Sequence, residues 1–279
     1  MLLNRNIVPV DTENSLLQVF HWNILSDQLS GFFPSVEDKY LEWDYRKRLI
    51  SEELINCKAD ILCLSEVDHF EDFIQPLLAA HGYHSLFRRK KGWHRDGLCI
   101  AYKNDRLRLI QQSSIYLPKS NQFALAVQVT LGTIPILILS THLKSGSEYE
   151  KIRLHQITYL LEQVSKFNSK QIIFCGDFNC TPNSLTYNAI KSHKIGFKSA
   201  YFGLSTPETE PEITTYKKRE ELAEFNTIDY IFFKGFRIAS ALKLPSLKEV
   251  EKIGMPSRDY PSDHLSLMCS LYISLSPSL

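Results

Sequence analysis

Apolar runs that stop abruptly at a polar residue recur along this chain. The sharpest is Ile172-Ile173-Phe174-Cys175-Gly176-Asp177-Phe178-Asn179, which reads as a buried strand delivering an acid and an amide to its C-terminal lip. Side chains alternate in an extended backbone, so Asp177 and Asn179 fall on one side. Five other runs behave alike: Gln18 to Asn23 ends in an amide, Ile61 to Glu66 in a carboxylate and Ile134 to His142 in an imidazole. Ile228 to Phe233 carries Asp229 at its start, and Asp263-His264 stands before the apolar stretch Leu265 to Leu271. One such ending is an ordinary turn signal. Six, spaced along most of the chain, point to one shared site built at strand ends.

Helical periodicity predicts four helices, over Tyr45 to Asn56, Glu71 to Ala80, Glu148 to Phe167 and Ser184 to Ser192. The third has Ile157, Leu160, Leu161 and Val164 on one face. Strand-like runs number about a dozen. Ile134 to His142 follows Phe123 to Leu131 through Gly132-Thr133, which predicts an antiparallel hairpin. Hairpins interrupted by long helices predict an α/β chain in which two mixed, mainly antiparallel sheets pack together under helices on both outer faces. A doubly wound nucleotide fold fits less well, because regular strand-helix alternation and a Gly-rich phosphate loop are both missing. With no repeat or Pro/Gly/Ser linker, the reading is an N-terminal lead over 1–15 and one domain over 16–276.

A chain of 279 residues that is 44% hydrophobic can bury a large core. Its net charge of +1 argues against nonspecific grip on long nucleic acid, so an anion must meet a local cluster. Arg88, Arg89, Lys90, Lys91 and Arg95 form one such cluster, and Lys217, Lys218 and Arg219 another. Six cysteines without a C-x-x-C pair suggest a reducing compartment and no zinc. No leader or membrane-length apolar segment is evident, so a soluble, cytoplasmic, monomeric enzyme is expected.

The ordered set Asn23, Leu64-x-Glu66-Val67, Thr141-His142-Leu143, Gly176-Asp177-Phe178-Asn179, Asp229-Tyr230 and Ser262-Asp263-His264 resembles the signature of the endonuclease/exonuclease/phosphatase superfamily, from Leu17 to Leu275. Cys63 to Phe70 and Tyr260 to Leu267 are similar to its deadenylase-like branch, and to the nocturnin-like members in particular. The resemblance implies a four-layer α/β sandwich and magnesium-dependent attack of water on a phosphate ester, with Mn²⁺ a possible substitute. For nocturnin-like members the implied substrate is the 2′-phosphate of NADP(H). For other deadenylases it is the 3′ end of single-stranded RNA, and a catalytically dead nucleotide-binding module is a third reading.

Phosphate esters resist attack because their oxygens repel nucleophiles and the alkoxide leaves poorly. Glu66 is read as the principal metal ligand, with Asn23 close by and Asp263 acting directly or through water. Asp177 is the expected general base, and Asn179 the holder of a nonbridging oxygen. Asp229 should keep His264 cationic, and His142 should add another donor. Residue-matched resemblance adds Lys90, Asn121, Lys144 and Arg219 for substrate holding, with Asp96 shaping the rim. Gly146 stands where nocturnin-like members have an arginine. The other seven histidines, His21 included, are given no role.

Overall fold

A computed structural model of the chain describes residues 7–9, 16–204, 208–219 and 222–273. Its strands are Ile7–Pro9 (β1), Leu16–Asn23 (β2), Ile61–Val67 (β3), Tyr83–Arg89 (β4), Gly97–Lys103 (β5), Leu107–Tyr116 (β6), Phe123–Leu131 (β7) and Ile134–His142 (β8). Gln171–Asp177 (β9), Lys198–Ser199 (β10), Thr215–Arg219 (β11), Leu222–Asn226 (β12), Asp229–Lys234 (β13), Phe236–Leu242 (β14) and Leu267–Ile273 (β15) follow. The helices are Asp38–Leu41 (α1), Trp43–Asn56 (α2), Gln75–Ala80 (α3), Glu150–Ser165 (α4), Leu185–Ser192 (α5) and Leu247–Ile253 (α6).

Two mixed sheets form the middle layers. One runs β1-β14-β15-β2-β3-β5-β4 and the other β10-β13-β9-β8-β7-β6, while β11 and β12 pair as a separate ribbon. The β2/β3 and β8/β9 neighbours are parallel and the other strand pairs antiparallel. Three apolar clusters show the layering. Leu17, Val19, Cys63, Ile138, Ile173 and Ile231 meet between the sheets. Phe20, Leu62 and Leu64 turn outward onto Ile50 and Leu54 of α2, and Leu139, Phe174 and Phe232 pack on Ile157 and Leu161 of α4. The expected four-layer α/β sandwich is therefore present.

The hairpin expected at Gly132-Thr133 is formed, with Leu131 opposite Ile134. Of the four expected helices, two begin differently. A single π turn, Phe70–Ile74, precedes α3, and the 3₁₀ turn Ser147–Tyr149 precedes α4. The count of four was too low, since α1 and α6 were not anticipated. Both are too short for a periodic apolar face to register. A capping box of Ser246 and Glu249 nevertheless marks the start of α6 and was readable. All six cysteines are buried and free. No helix among the described residues is long and apolar enough to cross a membrane.

Candidate active site

Period-two alternation builds most of the site. Leu17 and Val19 of β2 face the inter-sheet core, so His21 and Asn23 face it too, at the strand's end. The same parity carries Ile136 and Ile138 on to His142, Ile173 and Cys175 to Asp177, and Ile231 back to Asp229. Register then aligns the second sheet's contributions: His142 is opposite Asp177, and Asp177 opposite Asp229, across three neighbouring strands. The inter-sheet core thus ends in a row of polar groups at one rim.

Two backbone departures complete the arrangement. Leu62 and Leu64 point outward, so regular alternation would bury Glu66 under the helices. A bulge between Ser65 and Val67, with Glu66 at φ 58°, turns its carboxylate into the site instead. Before Asp177, a Cβ on Gly176 would stand 2.3 Å from the Thr141 carbonyl oxygen. Only glycine lets β8 and β9 approach that closely.

Asn23 joins the two sheets. Its Nδ2 donates to Glu66 Oε1 at 3.0 Å and to Asp177 Oδ2 at 3.1 Å, while its Oδ1 accepts from Leu25 N at 3.1 Å. This pattern turns the amide nitrogen, rather than the oxygen, toward the carboxylates. Glu66 Oε2 accepts from Ser26 N at 3.0 Å. Burial would raise the Glu66 carboxyl, but His142, Lys90 and the Asn23 amide hold it below its ordinary value. At neutral pH Lys90 and Asn23 are the ones that act, because His142 is itself driven down to about 3 by burial and by Lys90. His142 Nε2 lies 3.6 Å from Asp177 Oδ2, and its buried Nδ1 has no hydrogen-bond partner.

His264 is governed differently. Its Nδ1 donates to Asp229 Oδ2 at 2.9 Å, and its Nε2 lies 3.6 Å from Asp263 Oδ2 and 3.8 Å from Asp177 Oδ2. Burial would lower the imidazole, yet Asp229 and Asp263 raise it to about 10. Asp229, although buried, is held low mainly by His264 and then by His21. Asp177 goes the other way, pushed up to about 6 by burial and by Asp229.

Sequence reasoning missed several residues here. His21, wholly buried, places Nε2 3.4 Å from Asp229 Oδ1 and Nδ1 3.0 Å from the Cys63 carbonyl. Its parity with Asn23 was the available signal. Thr214 donates to Asp229 Oδ2 at 2.8 Å and is distant in sequence from any strand-end pattern. Buried Arg46 donates to the carbonyls of Ile24, Leu25 and Pro261, pinning the segment after Asn23 to the one before Asp263. Lys217, expected only as one of a basic cluster for the anion, instead forms a 3.1 Å ion pair with Asp263, and that carboxylate raises its ammonium well above the usual lysine range.

The rim residues are less uniformly placed. Lys90 and Asp96 form a 2.5 Å ion pair beside the site. Asn121 stands on an exposed turn, its Nδ2 3.9 Å from where a Cβ on Gly92 would be. Lys144 Nζ lies 4.5 Å from the Tyr149 ring centre, and its carbonyl accepts from Arg153. The side chain of Arg219 is outside the described residues. Asn179 Nδ2 donates to the Leu143 carbonyl at 3.1 Å, leaving one N–H of that amide for a ligand. At Gly146 the backbone has φ 102°, which side chains rarely adopt, and a Cβ would stand 2.8 Å from the side chains of Glu148 and Tyr149, so a substitution there is strained.

The residues fit a hard divalent cation. Four buried carboxylates, Glu66, Asp177, Asp229 and Asp263, converge here, and Asp177 among them is raised first by burial and then by Asp229. A cation at the site would relieve this. Ligand atoms of Asp177, Asp229 and His264 lie within 4.8 Å of one another. A protonated His264 has no lone pair to give, however, which favours the Glu66 side.

Residues 20–264 match the model of the Endonuclease/Exonuclease/phosphatase family. The chain belongs to that family. It is an enzyme, a metal-dependent hydrolase of phosphate esters. It is 34% identical to nocturnin of Xenopus laevis over 99% of its own length and 79% of that protein's. The human nocturnin catalytic domain with bound sulfate superposes with a TM-score of 0.83 at 31% identity, covering 98% of this chain and 99% of that one. ANGEL2, described as a 2′,3′-cyclic phosphatase, shares the fold with a TM-score of 0.88 at 23% identity, covering 96% of this chain and 97% of its own.

Proposed function

We propose that this chain is a magnesium-dependent phosphohydrolase of small nucleotides that converts NADP(H) and water to NAD(H) and inorganic phosphate. The observation that carries the chemistry is one buried site where Asp177, at about 6, faces His264, at about 10. Groups pushed apart in this way can act as base and cation at the same pH. Asp177 takes a proton from the attacking water. His264 donates from Nε2 to a nonbridging phosphate oxygen, and His142 and Asn179 are positioned to add further donors. Lys90 and Lys217 contribute positive charge at the rim. A bound Mg²⁺, held by Glu66 with Asp263 direct or through water, supplies charge neutralisation at the phosphate oxygens. The 34% identity to nocturnin across nearly the whole chain supports the nocturnin-like resemblance, and the substrate which that resemblance implies is NADP(H). The protein is expected to act as a monomer in the cytoplasm.

Purified protein given NADPH, NADP or oligo(A) in Mg²⁺ distinguishes these readings. Phosphate release from the dinucleotides, lost in Asp177→Ala, is the expected result. Shortening of oligo(A) without phosphate release would replace this function with exonuclease action. Nucleotide binding without turnover in Mg²⁺ or Mn²⁺ would reduce the chain to a binding module.

A further inference from the structure

Trp93 is 99% exposed, while the next most exposed large apolar residues, Phe32 and Leu185, reach 61%. It tops a short loop, Lys91 to Arg95, whose residues are all exposed and which also carries His94 and Arg95. The neck of this loop is rigid. Lys90 N donates to the Asp96 carbonyl at 3.0 Å, and the Lys90–Asp96 ion pair closes it from the side-chain end. Gly97, just beyond, pairs with Val67, the residue after Glu66. The loop therefore rises from the backbone beside the phosphate site. Lys91 Nζ sits 3.9 Å from the Tyr116 ring centre, which ties the loop's near side toward the turn bearing Asn121. Trp93 is left with both ring faces free.

We propose that Trp93 is a stacking platform for the nucleobase of the nucleotide whose phosphate enters the site, with Arg95 and His94 beside it. The inference deepens the function proposed above and rests on its reading of a nucleotide substrate. Trp93 lies three residues from Lys90, so their Cα atoms are within roughly 10 Å of each other, a separation on the scale of one nucleotide. An aromatic face accepts any base, and flanking cations follow the backbone charge. A membrane surface is the other ligand for an exposed Trp among basic residues, but a single apolar side chain gives it little area to insert.

The other two tryptophans are Trp22, fully buried, and Trp43, stacked on His69 at 3.9 Å, so a ligand response lost in Trp93→Phe belongs to Trp93. Titration with adenosine monophosphate should quench emission of the wild type and not of Trp93→Phe, and ribose 5-phosphate should quench neither. Trp93→Ala should raise KM for NADPH about 5- to 30-fold, more than it lowers kcat, with Trp93→Phe restoring most of the loss. If only oligo(A) binding weakens in Trp93→Ala, the base comes from RNA rather than from the dinucleotide. An emission shift with anionic vesicles and none with adenosine monophosphate would overturn the proposal, as would a Trp93→Ala variant whose KM for NADPH and affinity for oligo(A) are both unchanged. Absence of turnover in the wild type refutes the proposed function and leaves the quenching test to decide on Trp93.

Discussion

Nδ1 of His264 lies 2.9 Å from Oδ2 of Asp229, and His21 meets the other oxygen of the same carboxylate at 3.4 Å. One buried acid thus faces two imidazoles, with Thr214 Oγ1 donating to it at 2.8 Å. The carboxylate's charge and direction are over-determined, and it fixes in turn the ring of His264.

Asp229→Asn should therefore convert His264 from a permanent cation to one that titrates nearer the ordinary imidazole range. Ring signals in NMR would report this directly. Turnover at neutral pH should fall about 100- to 1,000-fold, the loss typical of removing one charged donor to a developing oxyanion. The sign for stability follows from the raised folded-state value of about 10 against 6.5 in the unfolded chain. The contribution is complete below 6.5 and is lost as pH rises through 10. The wild type should lose more thermal stability than Asp229→Asn over that window. A His264 that still titrates near 10 in the variant would assign the shift to Asp263 and Asp177.

A base acts in its ionised form, and burial with Asp229 pushes Asp177 up to about 6. For kcat/KM the expected profile falls with unit slope as pH drops below that value. Bound cation favours the carboxylate, so the midpoint should move lower as Mg²⁺ concentration increases. An acid limb that ignores metal concentration would remove Asp177 from the role of base.

Much of this site was legible because alternation is a local rule. Asn23, His142 and Asp177 close apolar strands and Asp229 opens one, so the sequence marked them as a strand-end set, and in the fold parity carries all four to the inter-sheet side. Glu66 is different: its run identified the residue, but strict alternation would send it to the wrong face, and the bulge that corrects it leaves no clear mark in the sequence. Arg46, Thr214 and the pairing of Lys217 with Asp263 were harder still. Each acts through a partner elsewhere in the chain, and although the spacing of Arg46 with Ile50 and Leu54 puts it on the buried face of α2, its three carbonyl partners appear only with tertiary packing. That the arginine implied by the resemblance is replaced by Gly146 was plain in the sequence, whereas the φ of 102° at that position shows only in the fold.

Gly176→Ala should destabilise the chain and disable the site together. The added methyl would stand 2.3 Å from the Thr141 carbonyl oxygen, which belongs to the backbone of β8 and cannot rotate away. The strands must separate, and Asp177 and His142 move with them. A loss of about 1–3 kcal/mol is expected from such overpacking, read as a lower midpoint in urea unfolding with unchanged slope. Wild-type stability with reduced activity would mean that the strands adjust locally at the strand ends.

The position of the metal ion can be decided between two groups of ligands. Asp177, Asp229 and His264 come within 4.8 Å of one another, but their imidazole is protonated and already hydrogen-bonded to Asp229. Glu66 keeps a low-lying carboxylate whose oxygens are oriented by Asn23 Nδ2 and Ser26 N, each leaving a lone pair free. Oriented, ionised oxygen is what a hard cation selects. Glu66→Gln preserves the shape and removes the charge, and Asn23→Ala removes the donor that aims it. Both should weaken Mn²⁺ binding, followed by electron paramagnetic resonance, by about 10- to 100-fold, whereas His264→Gln should leave affinity nearly intact. The reverse ranking would move the cation across the site to Asp177 and Asp229 and require His264 to bind it as a neutral ring.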